Sequence, residues 1–269
     1  VSSLLGNLWV WHVPMPKLPE KHQFFDLSDY GRPMGILIAE SLKHSTYSPI
    51  HITLGFVVSG LIAVGFILYE YYWAALFFLL LKSILDAADG ELARIKNTPS
   101  YTGRYLDSIS DFVLNLLTIL AIWHITDNSF FYAIMAFIGL ELQGTLYNYY
   151  YSILRNRYQG DTTSQVFETK TPMAFKNEEQ RTVNMLHHIY TLCYGPYDRI
   201  IYSLDKNANT EDRLPNWLMT AVSCFGLGFQ LLLIGFFLVL DIKELIIPYF
   251  ILNTLMIFVF IAIRQMLNR

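Results

Sequence analysis

Six apolar blocks, most of them about as long as a bilayer-crossing helix, constrain this chain more than any other feature. A membrane helix takes about 20 mostly apolar residues. The blocks run from about Ile50 to Tyr69, Tyr71 to Asp86, Leu106 to Ile125, Phe130 to Leu154, Pro215 to Leu240 and Leu245 to Ile263. The second block is short, and its helix is expected to continue through the polar residues that follow. Composition agrees: 54% of the 269 residues are hydrophobic and 15% are charged, against about 25% charged in soluble domains. That excludes a soluble enzyme, a disordered tail and a repeat solenoid. A formal net charge of −3 leaves no basic field for nucleic acid. The two cysteines, Cys193 and Cys224, make neither a disulfide framework nor a zinc-type spacing. The expected fold is an all-α membrane protein, a six-transmembrane-helix bundle.

The connections alternate in length. Those after blocks one, three and five are short: Tyr69–Tyr71, Thr126–Ser129 and Asp241–Glu244. The N-terminus, the stretch Ala87–Tyr105, the polar loop from about Arg155 to Leu214 and the C-terminus fall on the other side. Of 19 Lys and Arg, Lys243 alone lies in the short set. The positive-inside rule then places both termini, and any site among the polar loops, in the cytoplasm. The chain reads as a multi-pass integral membrane protein, of the inner membrane if its source is bacterial.

Residues 1–49 read as an N-terminal cytoplasmic or interfacial segment, without the basic start and apolar run of a signal peptide. Within it, Ser28–Lys43 has the pattern of an interfacial helix. Its apolar residues are Met34, Ile36, Leu37, Ile38 and Leu42; its polar ones are Asp29, Arg32, Glu40 and Lys43. Residues 50–265 form the six-helix domain. In the loop 155–214, Glu178–Leu204 is expected to form a cytoplasmic helix, broken near Gly195-Pro196. The aromatic run Tyr147–Tyr151 reads as a belt at the membrane interface.

Four aspartates lie where the second block ends and the third begins. Asp86 and Asp89 are three residues apart on one helix; Asp107 and Asp111 are four apart on the next. Each pair therefore shares a helix face, and the turn between them lets the two faces meet. One ionised Asp at a membrane helix centre costs roughly 2.5 to 3.5 kcal/mol, and four together repel one another. They need cations, protons or a wet cavity. Two divalent ions would balance four carboxylates. Mg²⁺ takes oxygen ligands and keeps positions for substrate phosphate, and paired metals can clamp a phosphoryl centre during displacement. Gly90 and Ala93 have little side chain, so a base or a diphosphate can approach the helix, and Arg94 adds a cation. Singly, each of these residues is a cap, a packing glycine or a helix anchor; together they form a pattern.

That pattern is D-x-x-D-G-x-x-A-R-x₈-G-x-x-x-D-x-x-x-D, complete at Asp86, Asp89, Gly90, Ala93, Arg94, Gly103, Asp107 and Asp111. It resembles the signature of the CDP-alcohol phosphotransferase family. Ser48-Pro49-Ile50-His51-Ile52-Thr53 also resembles the family's T-P-N-x-I-T before the first span, with Ile50 and His51 departing from it. The resemblance implies a membrane enzyme that moves a phosphoalcohol from a CDP-linked donor to a hydroxyl and releases CMP. It further implies that Asp86, Asp89, Asp107 and Asp111 hold Mg²⁺ or Mn²⁺, two ions in all. Asp111 is the implied catalytic base, and Gly90, Ala93, Arg94 and Gly103 surround the cytidine diphosphate. The partners implied are the donor, an alcohol acceptor, the lipid bilayer and a second copy of the chain in a homodimer, with no nucleic acid.

The motif fixes the reaction better than the substrates. A short, six-span chain favours a CDP-diacylglycerol-like donor and a small polar acceptor of the serine or inositol phosphate type. The alternative is transfer from CDP-choline or CDP-ethanolamine to a lipid alcohol. Asn115, Glu141, Gln143 and Asn148 are polar groups in or near spans. Arg104, Arg155, Arg157, Arg181 and the pair His187-His188 are candidates to meet an anionic acceptor. A transporter would also need buried acids, but it predicts them near mid-membrane together with internal repeats, and no repeat is evident. A catalytically silent scaffold would be expected to have lost an Asp of the motif.

Overall fold

The computed structural model describes residues 18–19, 22–158, 170–210 and 214–267. The expected N-terminal segment over 1–17, and the parts of the polar loop over 159–169 and 211–213, lie outside the described residues. Among the described residues all regular elements are helical: α1 (Arg32–Leu42), α2 (Pro49–Leu68), α3 (Tyr72–Ile95), α4 (Tyr101–His124), α5 (Phe130–Arg157), α6 (Gln180–Leu204), α7 (Asn216–Val222), α8 (Leu227–Val239), α9 (Ile246–Asn253) and α10 (Met256–Leu267).

Four stretches are long and apolar enough to cross a bilayer: Pro49–Leu68, Tyr101–His124, Phe130–Arg157 and Lys243–Leu267, the last containing α9 and α10. A fifth exists if α7, its following 3₁₀ turn and α8 count as one crossing bent by 51°. The expected count of six thus becomes four or five on length and apolarity. The block that drops out is α3, which carries Lys82, Asp86 and Asp89 in its middle. Large apolar side chains such as Leu54, Val58, Leu61, Phe77, Phe131, Phe236, Leu252 and Phe258 are exposed along the helices. An aqueous surface would penalise such a belt, whereas lipid accepts it.

The span expected as one helix from Pro215 to Leu240 is broken at Gly226, whose backbone is extended. The Ser28 side chain occupies the space a Cβ on Gly226 would need, so the N-terminal segment wedges the break open. The helix expected to break near Gly195-Pro196 instead runs unbroken through Pro196. The helical bond lost at Pro196 is that of the Leu192 carbonyl, on a residue that is itself exposed. Within Ser28–Lys43 the chain forms α1 over Arg32–Leu42. This helix packs on α3, with a Cβ on Gly35 falling 2.9 Å from the Ala88 backbone nitrogen.

Local chemistry sets the turn that matters most. α3 ends with Asn97 in the left-handed region (φ 51°). The Thr98 N–H donates to the Ala93 carbonyl (3.0 Å) and the Asn97 N–H to the Arg94 carbonyl (3.1 Å), the Schellman arrangement that asparagine tolerates. Pro99 then stops the helix. Ser100 caps α4 by accepting from the Gly103 N–H (2.8 Å). The result is a tight antiparallel reversal between the two halves of the aspartate motif. Around it, α1, α2 and α8 pack on α3, while α2, α5 and α6 pack on α4.

The aromatic run Tyr147–Tyr151, expected at the membrane interface, is buried inside the bundle instead. Distant acids reach in to its hydroxyls. Tyr147 donates to Asp26, Tyr150 to the Asp205 carboxylate (2.7 Å) and Tyr149 to the Asp205 carbonyl (3.0 Å). Asp205 also pairs with Arg264 of α10, and both residues are 1% exposed. This pair joins the C-terminal end of α6 to α5 and α10. Removing one partner of a buried pair leaves an uncompensated charge, which costs about 3 to 5 kcal/mol. Arg264→Met should therefore lower the thermal midpoint of the detergent-solubilised chain by many degrees. Adding Asp205→Leu should restore part of the loss. An Arg264→Met chain as stable as the parent would contradict this assignment.

Candidate functional site

The α3–α4 reversal brings the two aspartate pairs together as a ladder of polar levels. One carboxylate oxygen each from Asp86, Asp89 and Asp107 lies within 4.8 Å of the other two. Asp89 is fixed by the Thr53 hydroxyl, which donates to its Oδ2 (2.7 Å). Asp107 Oδ1 is buried without a hydrogen-bond partner among the described residues. Three converging carboxylates, one with an orphaned buried oxygen, are the kind of oxygen donors that could hold a hard divalent cation.

One turn further along α4, Asp111 faces Lys82 of α3, with Nζ to Oδ1 at 2.5 Å. The same Nζ lies 3.7 Å from Asp86 Oδ2. Another turn on, Asn115 donates to Glu141 of α5 (2.9 Å). Each level answers the cost of a buried polar group with a different partner: converging acids, an ammonium, an amide.

Asp86, Asp89, Gly90, Ala93, Arg94, Gly103, Asp107 and Asp111 all line one cavity of about 1970 Å³. Above Gly90 the nearest atoms to an added Cβ are the Arg94 guanidinium nitrogens at 3.7 Å, so the helix surface there is open. Arg94 pairs with Glu91 (2.7 Å), a fully buried acid that also takes Arg32 of α1 (2.8 Å). This pairing ties α1 to the rim of the cavity. At the N-terminus of α4, Glu178 reaches in from the polar loop. It accepts from the Thr102 N–H (2.6 Å), the Ser100 hydroxyl (2.8 Å), the Tyr101 N–H (3.2 Å) and the Phe175 N–H (3.1 Å). An anion at a helix N-terminus is favoured by the unpaired N–H groups and the helix dipole.

Among the other residues singled out from sequence, Asn115, Glu141, Asn148, Arg104 and Arg155 line the same cavity. Gln143 is buried and ties helices together, donating to the Phe250 carbonyl (3.0 Å) and Thr254 (3.2 Å). Arg181 and His188 are exposed, whereas His187 packs edge-on against Tyr105. Arg157 is half-buried. Lys82, Glu91 and Glu178 carry no site expectation from the sequence, and Thr53 enters there only as the last residue of the Ser48–Thr53 stretch. Lys82 did leave a signal, a single lysine inside an apolar block one turn before Asp86.

Residues 47–177 match the CDP-alcohol phosphatidyltransferase family. The chain is also similar to the CDP-diacylglycerol–serine O-phosphatidyltransferase of Bacillus subtilis (strain 168), 40% identical over 67 residues. That similarity covers 25% of this chain and spans 38% of the length of the relative. No solved structure matches.

Glu178 gives the site a dependence on pH. Partial burial raises its pKa, but the bonds from Thr102, Ser100 and Phe175 outweigh that and hold it below the ordinary glutamate value. Its contribution is therefore complete above the unfolded value of about 4.3 and is lost as pH falls through the lower folded value. Between pH 7 and pH 3, the thermal midpoint of the wild-type chain should fall more steeply than that of Glu178→Gln. Parallel curves would mean that the Glu178 cap is not formed in solution.

Proposed function

We propose that the CDP-alcohol phosphatidyltransferase domain of this chain moves a phosphatidyl-type group from a CDP-diacylglycerol-like lipid to a small polar alcohol of the serine or inositol phosphate type, releasing CMP. The observation that carries this reading is the convergence of the whole motif on one cavity, with three carboxylates together and an orphaned Asp107 oxygen among them. The similarity to a CDP-diacylglycerol–serine O-phosphatidyltransferase supports the donor class and a small acceptor.

In this reading Asp86, Asp89 and Asp107 hold Mg²⁺ or Mn²⁺, which when bound neutralises the diphosphate and stabilises charge on the transferred phosphoryl group. The open surface over Gly90 and Ala93 admits the cytidine diphosphate, and Arg94, held by Glu91, offers it a guanidinium. The acceptor hydroxyl attacks the phosphorus that carries the diacylglycerol. The bond from that phosphorus to the bridging oxygen breaks, CMP leaves, and Asp111 receives the hydroxyl proton. Arg104 and Arg155, on the cavity wall, suit an acceptor carboxylate or phosphate. The lipid tails remain in the bilayer.

The same reading makes α3 a sixth span. Its apolar first half, through Ala75 and Leu79, shares a core cluster with α2 and α8, and its charged residues face partners rather than lipid. α1 then lies at the interface, and the reversal at 96–100, the polar loop and both termini face the cytoplasm.

The direct test is a substrate panel with the purified chain. CMP should form with CDP-diacylglycerol plus a small polar alcohol, stop with a chelator and return with Mg²⁺ or Mn²⁺. Release only from CDP-choline or CDP-ethanolamine with diacylglycerol would contradict the donor assignment. A positioned base contributes about 10²- to 10⁴-fold. Asp111→Asn should lower turnover by that factor while keeping metal-dependent binding of the CDP donor. Asp89→Asn should lose both. Equal loss of donor binding in the two variants would remove the base role from Asp111.

A further inference from the structure

Lys82 is the cation the motif does not mention. Its side chain is 2% exposed, and it sits on the face of α3 that carries Asp86, one turn away. Its Nζ touches Asp111 at 2.5 Å and lies 3.7 Å from Asp86, with the Phe56 ring beneath it at 5.0 Å. The ammonium therefore stands between Asp86 and Asp111. An ion held by those two residues would need that same space.

We propose that Lys82 takes the place of a second metal ion, so that the carboxylate cluster binds one divalent ion per chain. That ion is held by Asp86, Asp89 and Asp107, while Asp111 remains with Lys82.

Three observations carry this. The oxygens that converge closely belong to Asp86, Asp89 and Asp107, with Asp111 outside the group. The buried oxygen lacking a partner belongs to Asp107, and the nearer oxygen of Asp111 is already taken. The lower level, Lys82 with Asp111, is neutral in itself. A second divalent ion there would bring further positive charge against a buried ammonium already paired with Asp111. The upper level keeps three negative charges for one ion of charge +2. The donor's diphosphate is left to that ion and to cations on the cavity wall, Arg94, Lys96 and Arg104. A lysine deep in a membrane helix is costly unless paired and marks function rather than packing. The inference rests on the metal-dependent reading for the presence of an ion and is independent of which alcohol accepts the group.

The test is metal binding without substrate. The full chain, stripped with chelator in detergent, is titrated with Mn²⁺. Bound ions are counted by equilibrium dialysis, and the electron paramagnetic resonance spectrum is recorded. The wild type should hold one Mn²⁺ per chain with the six-line spectrum of an isolated ion. Asp111→Asn should hold one ion with the same spectrum, and so should Lys82→Arg. Lys82→Met should bind a second ion and show the broadened spectrum of a coupled pair. Two ions in the wild type, or loss of the ion in Asp111→Asn, would overturn the proposal. So would a folded Lys82→Met chain that still takes one ion. If Lys82→Met does not fold, the wild type and Asp111→Asn decide. No bound Mn²⁺ in the wild type would defeat the metal reading itself, whereas one bound ion in a chain inactive on the substrate panel would defeat the substrate assignment alone.

Discussion

A charge placed among membrane helices must find an opposite charge, a full set of hydrogen bonds or a wet cavity, because lipid offers nothing to solvate it. This chain places Lys82, Asp86, Asp89, Asp107, Asp111 and Glu141 in that position, and its architecture follows from how each is answered. Thr53 of α2 holds Asp89, Lys82 holds Asp111, and Asn115 holds Glu141. Asp107 is left with a buried oxygen unanswered. In the proposed reading, where its neighbours are fixed, that remaining demand is the one a cation would meet. Far from the cavity the same rule recurs in Asp205 and Arg264, where it serves to lock helices together.

The site is assembled by a short piece of chain because local rules suffice there. Asn97, Pro99 and Ser100 end one helix, reverse the chain and cap the next within a few residues. Helical spacing then stacks Asp107, Asp111 and Asn115 on one face of α4, opposite Lys82, Asp86 and Asp89 on α3. What the longer-range packing adds is support. α1 presses on α3 through Gly35, and its Arg32 shares Glu91 with Arg94. The loop that follows α5 returns Glu178 to the start of α4. The edges of the cavity thus depend on segments distant in sequence, while its floor is set by one helical hairpin.

This division explains what could be read from the sequence. The apolar blocks, the helical hairpin and the convergence of the eight motif positions follow from spacing alone, and each was legible. The tyrosines at 147–151 read from sequence as an interface belt because aromatic runs gather there. The hydroxyls of Tyr147 and Tyr150 are claimed by Asp26 and Asp205, 121 and 55 residues away, a pairing that no local pattern announces. The break at Gly226 depends on Ser28 arriving from the N-terminal segment, and the continuity of α6 through Pro196 depends on which side of the helix is exposed. Lys82 was visible as a lone charge in an apolar block, but its meaning required knowing that it lies opposite Asp111.

In the proposed reading the aspartate hairpin is a cation site whose remaining demand sits at Asp86, Asp89 and Asp107. Anomalous diffraction from crystals of the full chain soaked in Mn²⁺ measures this most directly. The expected result is a peak bounded by those three carboxylates, with Lys82 still against Asp111. Absence of manganese density at that position, or a peak between Asp86 and Asp111 with Lys82 displaced, would contradict it.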